Sequence, residues 1–129
     1  MLKFSQAFSG FTVNNVDAAT DFYSRVLGLK THVNDAGVLV LEINNGNPVI
    51  IYKKNDHHPA SHTVLNFPVA DVEHMVFKLR SRGVNFMLDI DSVELDDLGI
   101  ARFEHSSDMA WFQDPSGNIL ALVEQVLAD

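Results

Sequence analysis

Six histidines are the first side chains to consider for chemistry, because imidazole changes charge near neutral pH and binds divalent metals. His57, His58 and His62 cluster at a spacing that a nickel or zinc site could use. Adjacent histidines on an extended segment point in different directions, however, and the stretch reads first as a polar linker. His105 stands among Glu104, Ser106, Ser107 and Asp108, the composition of an acid/base or nucleophilic site. Sequence neighbours do not face one another, so no Ser-His-Asp geometry follows, and a solvated loop is the simpler reading. His74 falls in the first turn of a predicted helix and His32 just past the end of another, both surface positions.

Lys53 follows Tyr52 at the end of an apolar strand. There it could hold an anionic group or serve as a base once desolvated, or it could snorkel to solvent. Asp89, Asp91, Glu94, Asp96 and Asp97 place five carboxylates within nine residues, which suits a cationic ligand or simply a solvated loop. Trp111, Phe103 and Phe86 are the aromatic groups expected near this region for stacking.

Composition sets the limits on this chemistry. The 129 residues carry 17 acidic and 9 basic side chains, a formal charge of -8, and no cysteine. Disulfides, thiolate zinc sites and a cysteine nucleophile are excluded. The acidic balance opposes phosphate binding, so neither nucleic acid nor an anionic membrane is an expected partner. The start, Met1 to Gln6, lacks a basic and apolar leader, no apolar run approaches the ~18 residues that span a bilayer, and the expected location is cytoplasmic.

The elements that must position these groups come as a repeat. Phe11-Thr12-Val13-Asn14-Asn15-Val16 recurs 56 residues on as Phe67-Pro68-Val69-Ala70-Asp71-Val72. Each copy ends a strand-like stretch and enters a helical pattern. Val16, Ala19, Phe22, Tyr23, Val26 and Leu27 share one predicted helical face, and Val72, Met75, Val76 and Leu79 share the other. Asn15 and Asp71 are placed as N-caps, Gly28 and Gly83 as left-handed stops.

After the first helix, 31–34, 37–43 and 48–54 read as strands, with Asn44-Asn45-Gly46-Asn47 as a tight turn. After the second, 84–90 reads as a strand, 91–99 as an acidic loop and 100–104 as an extra strand. Residues 109–113 and 118–124 then form a hairpin closed by Asp114-Pro115-Ser116-Gly117. The organisation is module one (4–55), a linker (56–61) and module two (62–126) within a single domain. Neither half buries enough surface to stand alone.

A βαβββ duplication with Asp21-Phe22-Tyr23 and Val26-Leu27-Gly28-Leu29 in its first helix, and Asp114-Pro115-Ser116-Gly117-Asn118 before its last strand, resembles the vicinal oxygen chelate superfamily. That group includes glyoxalase I, extradiol dioxygenases, fosfomycin-resistance transferases and bleomycin-resistance proteins. The resemblance, over Phe8 to Val126, implies an α+β fold: two βαβββ modules forming a curved mixed sheet around a cleft, one helix per module on the outer face.

It also implies a divalent metal held in the cleft by His or Glu from four strands. The matching positions here are Phe8, Ile51, Val64 and Ala121, and none can bind a metal. A slip of two residues keeps the inward face and offers Gln6 or Gly10, Val49 or Lys53, His62 or Asn66, and Ile119 or Val123, among which only His62 is a good donor. In the bleomycin-resistance branch, an acidic, aromatic-lined groove at a dimer interface takes up a cationic drug without metal. This chain is similar in charge sign and in lacking ligands, and departs in having one tryptophan.

The expected function is therefore a homodimeric, metal-free protein that binds a small apolar or aromatic molecule, cationic ones included, in the cleft. The expected binding residues are Phe8, Ile51, Lys53, His62, Val64, Asn66, Phe103, Trp111 and Ala121. Two other readings stay open: a metal-dependent lyase or dioxygenase with relocated ligands, and a metal-free acid/base enzyme using Lys53 or His62.

Overall fold

The computed structural model describes residues 1–2, 6–44 and 46–125. Phe4, the expected start of module one, Asn45 of its tight turn and Val126, the expected end of module two, lie outside them. Contacts divide the chain into two compact units, one ending at Pro59 and the next beginning at Ala60. Each holds one helical element and one four-stranded mixed sheet, an α+β architecture. No helix is long and apolar enough to cross a membrane among the described residues.

Module one runs β1 (Ser9–Val13), α1 (Val16–Thr20) continued by a π-helical stretch (Asp21–Val26), β2 (Thr31–Val33), β3 (Leu39–Leu41) and β4 (Val49–Lys53). Strand order is β1-β4-β3-β2, with β1 parallel to β4 and the other pairs antiparallel. Asn15 caps α1 as its position predicts, accepting from the Ala18 N–H at 2.9 Å. The uniform α-helix that the spacing predicts is not what forms. Leu27 N–H bonds the Phe22 carbonyl five residues back, at 2.9 Å. The Thr20 and Ser24 hydroxyls donate to the Val16 and Thr20 carbonyls at 2.8 and 2.6 Å, competing with backbone N–H groups, and the ladder widens beside them. Ala19, Phe22, Tyr23 and Val26 are buried, the face expected from their spacing.

Module two runs β5 (Thr63–Val69), α2 (Val72–Arg80), β6 (Ile100–Ala101), β7 (Met109–Gln113) and β8 (Ile119–Glu124), in the order β5-β8-β7-β6. Asp71 caps α2 through the His74 N–H at 3.0 Å. Val72, Val76 and Leu79 are buried beneath the helix, each contributing about 1.5–3 kcal/mol of apolar burial.

The largest departure from the sequence pattern is at the edge of this second sheet. Residues 84–90 are not a strand and 100–104 shorten to Ile100–Ala101. Phe86 bridges Phe112, and Met87 N–H bonds the Trp111 carbonyl at 2.8 Å. The next rungs of β7, Ala110 and Met109, pair with Ile100 and Ala101. Met87 and Ile100 therefore sit on consecutive rungs of one edge strand, and residues 88–99 loop out between them. Gly99 makes the return possible. Its φ is +84°, and a Cβ there would stand 2.7 Å from the Met87 carbonyl oxygen.

The β7–β8 turn is densely hydrogen-bonded. Asp114 and Asn118, 5% and 2% exposed, are buried. The Asp114 carboxylate accepts from the Ser116 N–H, the Asn118 N–H and Asn118 Nδ2, each at 2.9 Å, while Gly117 N–H closes onto the Asp114 carbonyl at 3.0 Å with φ +85°. Replacing the carboxylate removes its three acceptor bonds to buried Ser116 and Asn118. Asp114→Ala lowers stability by about 2–3 kcal/mol in urea unfolding, and Asp114→Asn, which keeps an acceptor, loses less. A change below about 0.5 kcal/mol for the alanine variant contradicts this role.

Candidate functional site

Each sheet has one face covered by its own helix, and the registers show which side chains share it. In module one Phe11 lies 6.3 Å, ring to ring, from the buried Tyr23 of the helical segment, so the Phe11 side of the sheet is the helix side. Phe11 is paired with Ile51, and Ile51 with Leu39. Ile51, 0% exposed, thus belongs to the helix-side core and not to the open face where the sequence reading puts it. Lys53 has the same parity and is exposed at the end of β4, paired with Val13. Phe8 precedes β1 with the opposite parity and is exposed. The cleft grouping of Phe8, Ile51 and Lys53 fails because alternation gives two classes of residue without saying which class meets the helix.

In module two Phe112, Leu120 and Leu122 lie on the buried side and Trp111, Ala121 and Asn66 on the other, since Asn66 pairs with Ala121 and Ala121 with Trp111. Asn66 is exposed. Val64 falls at the irregularity between Thr63 and Leu65, has no register partner there and is half-buried. Phe86 turns away from Trp111 and packs on Phe112 at 5.3 Å. Phe103 follows β6 and is exposed. Of the expected aromatic trio, Trp111 alone is on this apolar floor.

Trp111, Ala101 and Ala121 form that floor, and Ile90, Val93 and Leu95 of the 88–99 excursion pack onto it with Met87, Met109 and Ile119. Beside the cover is a cavity of about 410 Å³ lined by Trp111, Met87, Ile90, Ile119, Ser61, His62, Thr63, Asp89 and Asp91. The volume is that of a small-molecule site. Trp111 Nε1 donates to Thr63 Oγ1 at 3.2 Å, which fixes the indole plane as one wall. The wall is therefore aromatic, and the rim carries an imidazole and two carboxylates. The cover formed by the excursion is absent from the sequence reading, although Asp96 to Gly99 carries the turn chemistry that makes its return.

The other polar groups are elsewhere. His57 Nδ1 lies 2.6 Å from Thr12 Oγ1, tying the linker to β1. His105 and Glu104 are 90% and 87% exposed and 3.8 Å apart. They edge a wide basin of about 800 Å³ with Ser106, Ser107, Asp108 and Glu124, and no hydroxyl–imidazole pair forms there among the described residues. His32 stands 3.5 Å from Glu42 on the surface.

The base of the excursion is held electrostatically. Asp96 Oδ1 accepts from the Leu98 and Ile100 N–H groups at 2.9 Å each, and Asp96 Oδ2 from Arg102 Nε at 3.1 Å. Arg102 also reaches Asp108 and Glu73, both at 3.4 Å, and Arg80 NH2 donates to the Leu98 carbonyl at 3.2 Å. Partial burial pushes the Asp96 carboxyl up, but the Ile100 N–H, Arg102 and the Leu98 N–H together outweigh it and hold the group below its ordinary 3.8.

The match to the model of the Glyoxalase/Bleomycin resistance protein/Dioxygenase superfamily covers residues 6–122, and the chain belongs to that superfamily. Its fold is that of FosX, a genomically encoded fosfomycin resistance protein from Listeria monocytogenes, at TM-score 0.72 and 12% identity over 98% of this chain and 97% of that one. It is also similar to an integron cassette protein from the mobile metagenome of V. cholerae (TM-score 0.64, 21% identity, 98% and 99% covered). A superfamily member from Sphaerobacter thermophilus gives TM-score 0.67 at 20% identity, with 95% and 100% covered. No curated protein matches the sequence.

The divalent metal that the superfamily's enzymes carry does not fit this donor set. With the faces assigned from the registers, the four strands present Gly10 and Thr12, Ile50 and Tyr52, Asn66 and Pro68, and Ala121 and Val123 away from the helices, with no imidazole or carboxylate among them. Glu124 falls on the helix side and accepts from the Val72 N–H at 3.0 Å. No group of three His, Asp or Glu side chains is placed to hold a metal among the described residues.

The lowered Asp96 pKa gives a pH prediction. A depressed carboxyl stabilises the fold fully above its unfolded value and loses that contribution as pH falls through the lower folded value. Asp96→Ala should therefore cost about 1–2 kcal/mol at neutral pH. The gap to the unsubstituted protein should narrow as pH falls below 3.8 in thermal melts. A gap that stays constant into that acid range refutes the assignment.

Proposed function

We propose that this protein is a metal-free, homodimeric binder of a small, flat apolar or aromatic molecule, cations preferred, and that the site is the cavity beside Trp111 in module two. The observation that supports it is the make-up of that cavity. One wall is an indole held by Thr63, the neighbours are Met87, Ile90 and Ile119, and the charged rim consists of Asp89 and Asp91, with no lysine or arginine in the lining. An aromatic face with nearby carboxylates attracts a delocalised cation by stacking and by charge, each worth about 0.5–1 kcal/mol at an exposed rim. The overall charge of -8 favours the same sign of ligand. Dimerisation is proposed because each small open sheet leaves edge strands for a second copy to pair with.

His62 lines the same cavity, and this supports a second reading, a metal-free acid/base enzyme that uses His62 on the bound molecule. Lys53 belongs to module one and does not line it.

Trp111 is the single tryptophan, so its fluorescence reports this cavity alone. Titration with the aromatic cation berberine should change Trp111 emission, and at 100 times Kd it should add about 2.7 kcal/mol of stability in a thermal shift. Asp89→Asn with Asp91→Asn should weaken berberine about tenfold and leave the neutral N-phenyl-1-naphthylamine unaffected. If neither compound nor a broad aromatic library moves emission or melting, the binding reading is wrong. Stoichiometric metal in protein purified without chelator or histidine tag, lost on His62→Ala, sinks the metal-free part.

A further inference from the structure

The segment 88–99 has two parts held by different forces. Its return, 96–99, is fixed by the Asp96 acceptor bonds to Leu98 and Ile100, by Arg102, and by Arg80 on the Leu98 carbonyl. Its departure is fixed by Met87 N–H on the Trp111 carbonyl. Among the described residues the tip bonds only within itself, Val93 N–H donating to the Ile90 carbonyl at 3.1 Å in an antiparallel bridge between the two residues, and it turns at Ser92 with φ +64°. What holds the tip down is the packing of Ile90, Val93 and Leu95 on Trp111, Ala101 and Ala121.

We infer that residues 88–95 are a displaceable lid, hinged at Met87 and at the Asp96 turn, and that Ile90, Val93 and Leu95 cover in the free protein the apolar surface that a bound flat molecule would take over. The inference rests on the reading of the Trp111 cavity as the ligand site.

Three features carry it. First, the edge strand does not need the excursion, because Met87 and Ile100 occupy consecutive rungs opposite Trp111 and Ala110. Second, apolar side chains on a tip without backbone ties to the sheet can be exchanged for ligand surface without breaking a ladder. Third, Ile90 belongs both to the cover and to the cavity wall, and Asp89 and Asp91 flank it, so lifting the tip enlarges the cavity and moves its two carboxylates together. Opening and ligand recognition are then one motion.

Two variants test this, with far-UV circular dichroism and melting as folding controls. One replaces Ile90→Ser, Val93→Ser and Leu95→Ser. The other removes 88–99 so that Met87 precedes Ile100. The lid reading expects both to keep a cooperative melt while acrylamide quenching of Trp111, 9% exposed in the free protein, rises roughly twofold or more. It also expects berberine to associate faster with the triple-serine variant, since less of the population is closed. Unchanged quenching in a folded variant overturns the lid, and loss of the cooperative melt in both variants overturns it as well by making the segment part of the core. If quenching rises but neither berberine nor N-phenyl-1-naphthylamine binds, the lid stands and the ligand reading falls. If the unsubstituted protein binds while quenching stays level, the ligand reading stands and the lid falls.

Discussion

The close approach of Gly99 to the Met87 carbonyl decides what module two can do. A chain that leaves an edge strand can rejoin it one rung later only if its two ends pass within backbone contact, and a Cβ at residue 99 would stand 2.7 Å from that oxygen. With glycine at φ +84°, the ladder continues from Met87 to Ile100 while residues 88–99 are free to fold over the sheet. Everything proposed about the Trp111 cavity follows from that crossing. It supplies the cover of the floor, the carboxylates at the rim and the turn that Asp96 and Arg102 hold in place.

The two modules are built from one plan and diverge where this crossing occurs. In module one the helical segment ends at Val26 and β2 begins at Thr31, whereas in module two α2 ends at Arg80 and β6 begins at Ile100. The rung held by Trp111, Ala121 and Asn66 has as its counterpart Val40, Ile50 and Gly10. Duplication thus provides two similar frames, and a looped-out segment with an indole beneath it converts one of them into a candidate site. Away from the helices these strands carry amide, hydroxyl and hydrocarbon groups, and the proposed recognition rests on stacking and peripheral charge.

The elements governed by local chemistry were legible in the sequence. Asn15 and Asp71 cap their helices, the Asp114 turn closes as its residue types require, and the apolar faces of both helices are buried. Three features were not legible, each for a physical reason. The π-helical stretch depends on hydroxyl competition at Thr20 and Ser24, which spacing does not reveal. The identity of the helix-facing side needs a tertiary contact such as Phe11 on Tyr23, so Ile51 was assigned to the wrong face. In 84–90, the apolar pattern of Val84, Phe86 and Ile90 suits a strand, but only Phe86 bridges β7 while Ile90 packs back over the floor. Of the residues expected from the sequence, His62 and Trp111 line the candidate cavity, whereas its cover by the 88–99 segment left no period-2 or helical signal to read.

Ligand binding is proposed for one cavity, walled by the Trp111 indole and covered by the 88–99 segment. Trp111 gives a single indole N–H resonance in a proton–nitrogen correlation spectrum, and its donor bond to Thr63 keeps that signal distinct. Titration with a flat aromatic cation should move the indole signal together with the amides of His62, Asp89, Ile90 and Asp91, and leave module one unmoved. Shifts that gather in the basin around His105, or on module one with the indole signal fixed, would contradict the account.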